Sequence, residues 1–294
     1  MLEPTREQRR ILELSTGVTT LVQFLSVQEQ AAFDQYRAAS EAVVRENGGH
    51  RTYGVHIDQV LAGGEMPFQE LVVDMFPSGE AALIAFDAAK ETRATAVAEA
   101  YILAVSPAGG PQGLVRHLRF LAPLLRPILG TNSEKERPEF KGKLNPATDP
   151  VPETVEVLRR HDQTTPFYMM NLNRYYARAQ YKGGQARKRT GEQAYASYAI
   201  RIVPYLISVG GYPDFWGHVI GTFVGSEGSP LYDDWSEFAM VYYPSRRVFL
   251  NMATHTPLKG IHHRDAGLAR AVLMPSTAWP PQKSSVALGL AGGD

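Results

Sequence analysis

Residues 36–49 read YRAASEAVVRENGG, and residues 198–211 read YAIRIVPYLISVGG. The spacing from tyrosine to the glycine pair is the same in both. Working outward, the likeness continues. A histidine-bearing stretch follows each pair, YGVHIDQVL from residue 53 and FWGHVIGTF from residue 215. An apolar stretch ending in Pro-Ser comes next, FQELVVDMFPS at 68–78 and WSEFAMVYYPS at 235–245. Each then enters a helical segment carrying Arg93 or Arg264, followed by a last apolar strand. Internal repetition on this scale sets the architecture before any single motif does.

Local signals turn the repeat into elements. Residues 4–15 predict a short helix with Pro4 in its first turn. Residues 18–25 (VTTLVQFL) predict a strand. Residues 28–46 predict a helix, with Ala32, Phe33, Tyr36, Val43 and Val44 at near-helical spacing and Gly48-Gly49 as its stop. Strands follow at 50–61 and 68–76, joined through AGGEMP. An Ala-rich helix is expected over 78–98 and a strand over 101–105. The order is β-α-β-β-α-β, the ferredoxin-like unit. The second copy adds RYYARAQYKGGQARKRTG (174–191) and a few residues around TPLKGIHH. The expected organisation is an N-terminal helix at 1–16, unit one at 17–106, a connector with one Pro-interrupted helix at 107–165, unit two at 166–276, and a flexible tail at 277–294.

Bulk composition narrows the function classes. The chain has 294 residues, 44% of them apolar, with net charge zero and no cysteine. That length fits two ordinary domains and a connector. The charge balance gives no basic footprint for nucleic acid. The absence of cysteine excludes disulfides, thiolate metal sites and a cysteine nucleophile. The stretch MLEPTREQRRILEL carries no signal-peptide pattern, and no run approaches the roughly 18 apolar residues of a membrane span. The expectation is a cytoplasmic protein whose partner is a small-molecule ligand, with no nucleic acid and no membrane partner; a homodimer is left open.

Strand alternation assigns faces. A turn centred near residues 64–65 sets His56 opposite Asp74, and one near 229–230 sets His218 opposite Val241. One face of the first unit then holds Thr52, His56, Asp58, Phe68, Glu70, Val72 and Asp74. The other holds Tyr53, Val55, Ile57, Leu71, Val73 and Met75, all apolar, and is expected under the helices. In the second unit the mixed face holds Trp216, His218, Ile220, Thr222, Trp235, Glu237, Ala239, Val241 and Tyr243. Two such faces left open would be a large apolar patch. Pressing them together predicts a two-sheet barrel with a cavity lined by His, Glu and aromatic groups.

The stretches FYMMNLNRY, TGEQAYASY, the Gly-Gly at 210–211, YYPSRRVFLNM and HHRDAGLA resemble the dimeric α+β barrel superfamily, which includes the EthD-like, Dabb-like and antibiotic-monooxygenase-like domains. Among them they are most similar to the domain-of-unknown-function family 1330. The first copy resembles it less closely, through FDQYRAASEAVVRENGG and MFPSGEAALIAFDAAKETR. The resemblance covers about two thirds of the chain. It implies an α+β fold in which two tandem ferredoxin-like units form an intramolecular dimeric α+β barrel. It does not imply a reaction, because the superfamily holds isomerases, cyclases, cofactor-free oxygenases and proteins of no known activity.

The candidate catalytic residues are His56, Asp74, His218 and Glu237. A carboxylate beside imidazole fixes its tautomer and raises its basicity; the plain alternative is a cross-strand hydrogen bond. Glu70 and Glu237 occupy matching positions, where burial raises a carboxyl pKa. A metal held by two His and two Glu is conceivable on composition, but no HxxxH or HxH spacing supports it, and no metal is expected. Candidate substrate-binding residues are Glu70, Gln23 and Asn171 on the first strands, Trp216, Trp235 and Tyr243, and His263 with Arg264 near the rim. Arg264 and Arg93 suit a carboxylate or a helix-to-loop ion pair. Tyr175, Tyr176, Tyr181, Lys182, Arg187, Lys188 and Arg189 read as a lid or a solvated loop. There is no Rossmann glycine pattern, P-loop or GxSxG, so no cofactor is expected. The reading is proton-transfer chemistry on an aromatic or carbonyl-containing metabolite by an isomerase, cyclase or lyase, or else a non-catalytic ligand-binding protein of the same fold.

Overall fold

The computed structural model describes residues 2–109, 115–129, 145, 147–182, 188–253 and 260–280. Helix α1 (Arg6–Glu13) opens the chain. The first unit runs β1 (Thr19–Val27), α2 (Gln30–Glu46), β2 (His50–Ile57), β3 (Glu70–Phe76), α3 (Gly79–Ala88), α4 (Lys90–Ala96) and β4 (Val97–Pro107). The connector holds a 3-10 turn (Arg116–Leu121), α5 (Ala122–Leu129) and α6 (Pro152–Arg160). The second unit runs β5 (Phe167–Tyr175), α7 (Gly191–Ser208), β6 (Tyr212–Val224), β7 (Glu237–Tyr243), α8 (Arg246–Ala253), α9 (Ile261–Gly267) and β8 (Leu268–Ala278). Both units follow the β-α-β-β-α-β order, with the second helix of each split in two. The single helix expected over 78–98 is thus two helices meeting at Ala89, and the connector, expected to hold one helix, also holds α6.

Local chemistry explains the boundaries. Thr5 and Thr190 start α1 and α7 through reciprocal hydrogen bonds with Gln8 and Gln193, which satisfy orphan backbone donors. Gly48 (φ +72°) and Gly210 (φ +87°) follow the ends of α2 and α7. That left-handed conformation suits glycine, which has no Cβ to clash.

The eight strands close into an antiparallel barrel in the order β1-β3-β2-β8-β5-β7-β6-β4. β2 pairs with β8 and β4 with β6, so the edge strands of each unit complete the other and no edge is left unpaired. An eight-stranded barrel is just wide enough for side chains to fill it. Here Phe24, Tyr53, Val55, Leu71, Val73, Tyr101 and Leu103 meet Leu172, Phe215, Phe238, Met240, Val272 and Met274. Phe68, Leu231 and Trp235, from the loops before β3 and β7, join the same core. Polar atoms inside find partners: Tyr53 Oη donates to Asp214 Oδ2 at 2.8 Å and Trp235 Nε1 to the Leu231 carbonyl at 2.6 Å.

This overturns the expected faces. Tyr53, Val55, Ile57, Leu71 and Val73 fill the barrel, and the sheet face carrying Glu70, Val72 and Asp74 lies on the helix side. In the second unit Phe215, Phe238 and Met240 point in, while Val241 and Tyr243 pack with α8. The predicted inter-sheet cavity lined by His and Glu is therefore an apolar core. A closed barrel buries both faces of its sheet, and the inside is the drier. The fully apolar set goes there, and the mixed set goes under helices that can offer hydrogen bonds.

Close packing leaves little room where the second unit's insert meets its helices. A Cβ on Gly191 would lie 2.4 Å from the Tyr176 carbonyl oxygen and 2.6 Å from that of Gly267. Both are backbone atoms with little freedom to yield. Gly191→Ala is expected to destabilise by about 1–3 kcal/mol through overpacking, read as a shift of the urea midpoint. An unchanged midpoint would mean that the backbone around Tyr176 moves freely.

Candidate functional site

The polar residues gather on the helix side of each half-barrel. In the first unit Asp74 is 2% exposed. It accepts from Arg51 Nε at 2.8 Å and Nη2 at 3.2 Å, and from Gln23 Nε2 at 2.9 Å. Arg51 also donates to the Arg37 carbonyl and to Ser40 Oγ on α2. Burial pushes the Asp74 carboxyl up, and the Arg51 guanidinium pulls it back. A cavity of about 20 Å³ beside Gln23, Tyr36, Ser40, Asp74 and Arg93 is large enough for one water. Arg93 is spent within the chain, donating to the Phe86 carbonyl at 2.8 Å and to Glu3 at 3.1 Å.

The expected His56–Asp74 pair does not form. His56 lies opposite Glu70, and its Nδ1 is 3.1 Å from Glu70 Oε1. His218 likewise lies opposite Glu237, not Val241. Both registers are displaced by four residues in the same sense, so the two units keep the same His–Glu rung. The paired histidines are exposed, and their glutamates lie deeper, toward the helices. With both glutamates on the outer faces of opposite half-barrels, the set of two His and two Glu does not converge. Among the described residues no three His, Cys, Asp or Glu side chains cluster as metal ligands.

The two glutamates differ in surroundings. Glu70 faces Leu25 across the strand pair, and both its oxygens are engaged, one with His56 and one with the Trp279 indole N–H at 2.6 Å. Glu237 faces Asn173, whose Nδ2 donates to Oε1 at 3.2 Å. Above it, Tyr195 on α7 takes the repeat position of Phe33. Tyr195 and Tyr175 lie 5.3 Å apart, ring to ring. Two positions that are apolar in the first unit, Leu25 and Phe33, are thus hydrogen-bonding in the second. Desolvation holds the Glu237 carboxyl above its ordinary value of 4.5, against the opposing pull of Tyr175, Asn173 and His218. Burial and the Glu237 charge both push the Tyr175 and Tyr195 phenols well up, so both stay protonated donors at neutral pH. His218 leans toward Glu192 on α7, 3.9 Å away.

A raised carboxyl has a signed consequence. Folded Glu237 holds its proton more tightly than unfolded Glu237 does. Its contribution to stability is complete below the unfolded value and is lost as pH rises through the folded one. Glu237→Gln cannot ionise. Its stability relative to wild type is expected to increase as pH rises from 4 toward 7, read by urea unfolding at each pH. A difference that stays flat would contradict the raised carboxyl.

The other expected site residues separate. Gln23 belongs to the Asp74 network. Asn171, half-buried, donates back to the Met169 carbonyl. Trp235 is in the barrel core, and Tyr243 stacks on Phe167 in the layer under α8. Trp216 is half-buried on the helix side. His263 is buried, with Nδ1 2.8 Å from the Tyr181 hydroxyl. Arg264 donates at 2.5 Å to Asp149 and to the Thr148 carbonyl, which is the helix-to-loop pairing. Of the insert, Arg187 falls outside the described residues, and Tyr181 fastens the rest to α9.

No family model matches the chain, and no curated protein does. Among solved structures, the RPA0582 protein of unknown function from Rhodopseudomonas palustris is 27% identical, with 45% of this chain and 97% of that one covered at a TM-score of 0.40. A mutant chlorite dismutase from Candidatus Nitrospira defluvii is 11% identical, covering 93% and 95% at 0.43. A heme-binding protein from Thermus thermophilus is 12% identical, covering 90% and 92% at 0.41. At these scores the likenesses carry no argument, and the fold rests on the strand pairing itself.

Sequence reasoning missed Arg51, Asn173, Tyr195 and Trp279. Asn173 and Tyr195 were within reach: laying the repeats side by side sets them against Leu25 and Phe33. Arg51 was hidden by a bulge between Arg51 and Tyr53, which turns it to the helix side with Asp74. Trp279 was assigned to the flexible tail, and instead it packs on the first unit.

Proposed function

We propose that this chain is a small-molecule enzyme that moves a proton on an aromatic or carbonyl-containing metabolite, as an isomerase, cyclase or lyase. Glu237 is the proton carrier. The observation that supports this most is the contrast at one rung: Glu70 has one oxygen on His56 and the other on Trp279, whereas Glu237, its carboxyl raised by burial, sits among Asn173, which donates to it, and the phenols of Tyr175 and Tyr195. A carboxyl that burial holds above its ordinary value is better suited to give and take a proton than an exposed one. Asn173, Tyr175 and Tyr195 orient it and supply donors to a developing oxyanion. His218, across the strand pair, is the group that exchanges that proton with solvent.

The test is a screen of aromatic, enol and lactone-type compounds in deuterated water, comparing deuterium incorporation by wild type and Glu237→Gln. Incorporation that depends on Glu237 supports the reading. Equal behaviour across the panel removes it and leaves the ligand-binding protein.

The first unit reads as the non-catalytic partner, because its Gln23–Arg51–Asp74 network is sealed and its Glu70 is saturated. We further read the two units as copies of one ancestral segment, divided at 17–106 and 166–276, in a cytoplasmic protein related to the EthD-like domains. Among the described residues no helix is long and apolar enough to cross a membrane.

A further inference from the structure

Residue 279 extends the β2–β8 ladder by one rung, its backbone N–H donating to the Gly54 carbonyl at 2.9 Å. Its indole lies over the helix side of β2. A Cβ on Gly54 would fall 2.1 Å from the ring, so the missing side chain is what opens the slot. The Arg37 guanidinium sits 4.0 Å from the ring centroid and Arg51 5.8 Å. Phe33 meets the ring edge-on at 6.0 Å. The indole N–H donates to Glu70 Oε2 at 2.6 Å while His56 holds Oε1. The Arg37 Nε is buried without a partner.

The fold does not demand an indole on this rung. The matching rung of the second unit joins Ala108 to Trp216, the Ala108 N–H donating to the Trp216 carbonyl at 3.1 Å. There the incoming residue is small and the strand carries the tryptophan; in the first unit the strand carries Gly54 and the ring arrives from the end of β8. The slot is thus built by Gly54, Phe33, Arg37 and Glu70, and its occupant comes from a segment held on this rung by one backbone hydrogen bond.

We propose that the first unit carries a binding slot for a flat aromatic group with a ring N–H donor, and that Trp279 is its displaceable internal occupant. Guanidinium planes select a π-face, the buried carboxylate selects an N–H, and the absent side chain at Gly54 sets the thickness. An external ligand of this class binds by swinging Trp279 out, so its apparent affinity is reduced by the fraction of time Trp279 is in. This inference is independent of the role of Glu237.

The test uses the full chain, with indole and 1-methylindole as probes, by titration calorimetry. Trp279→Ala is expected to bind indole about tenfold or more tighter than wild type. It is expected to bind 1-methylindole about tenfold weaker than indole, because the carboxylate is left unpaired. Wild type is expected to bind indole weakly, with faster hydrogen exchange at the residue 279 amide. Folded Trp279→Ala that ignores indole, or binds both probes equally, overturns the slot. Wild type that shows no binding up to the solubility of indole overturns displacement. If Trp279→Ala does not fold, Trp279→Phe takes its place: it lacks the N–H, and indole is expected to displace it at least about threefold more readily than Trp279. Equal affinity there overturns the proposal.

Discussion

Replacing Asp74 with alanine is expected to lower the stability of the fold by about 3–5 kcal/mol, the usual cost of removing one partner of a buried ion pair. Asp74 is the only carboxylate bonded to Arg51 among the described residues, and the Arg51 side chain is 9% exposed. With Asp74 gone, Arg51 keeps its bonds to the Arg37 carbonyl and Ser40, but its charge loses its directly bonded counterion in a helix–sheet interface. A domain stable by 5–15 kcal/mol, the range typical of folded proteins, loses a large share. The double variant Arg51→Met/Asp74→Leu is expected to recover most of the loss, because it removes both charges and keeps the volume. Urea unfolding of the three proteins checks this. A loss below about 1 kcal/mol in Asp74→Ala would mean that water enters the site and solvates Arg51.

The second large effect is on activity. Glu237→Gln keeps the shape and the hydrogen bond from Asn173, and removes only the proton that can be transferred. Once a substrate is in hand, kcat is expected to fall by about 10²–10⁴-fold, the range for a positioned acid or base, with KM little changed. Glu70→Gln, at the matching rung of the first unit, is expected to leave kcat within about twofold, because that carboxylate is bonded to His56 and Trp279 and carries no proton to the substrate. Equal losses in both variants would assign the effect to the fold.

The order of elements and the glycines after α2 and α7 are legible in the sequence, because each rests on local spacing, whereas Pro4, expected in the first turn of a helix, precedes the Thr5 cap of α1. The alternation within β2, β3 and β7 divides their residues into the expected two sets, whereas Phe68 and Trp235, just before β3 and β7, join the opposite set in the barrel core. It could not say which set faces inward, since a closed barrel covered by helices buries both faces. The rule that an apolar face seeks helices failed because the other half-barrel is drier than any helix. The four-residue slip in register has a local cause. Residues 58–69 form a long connection and not a tight turn, in which Leu61 and Ala62 bond to Leu273 on β8. The matching loop before β7 sends Leu231 and Trp235 into the barrel core. The glycines of both segments mark a turn but do not fix the register of the strands it joins. His56 and Glu237 are both among the residues the sequence singles out, but the partners that distinguish Glu237 from Glu70 come from β5 and α7, where only side-by-side comparison of the two units shows Leu25 giving way to Asn173 and Phe33 to Tyr195.

The most direct test of the account is the ionisation of Glu237 itself. A carbon-13 titration of side-chain carboxyls, with the Glu237 resonance assigned by its loss in Glu237→Gln, should give a midpoint clearly above the 4.5 of an ordinary glutamate. The midpoint should fall when Tyr195→Phe is joined by a cavity-opening change that wets the site, since desolvation is the main cause. A midpoint at or below the ordinary value would show a solvated carboxylate, and would contradict the proton-transfer site.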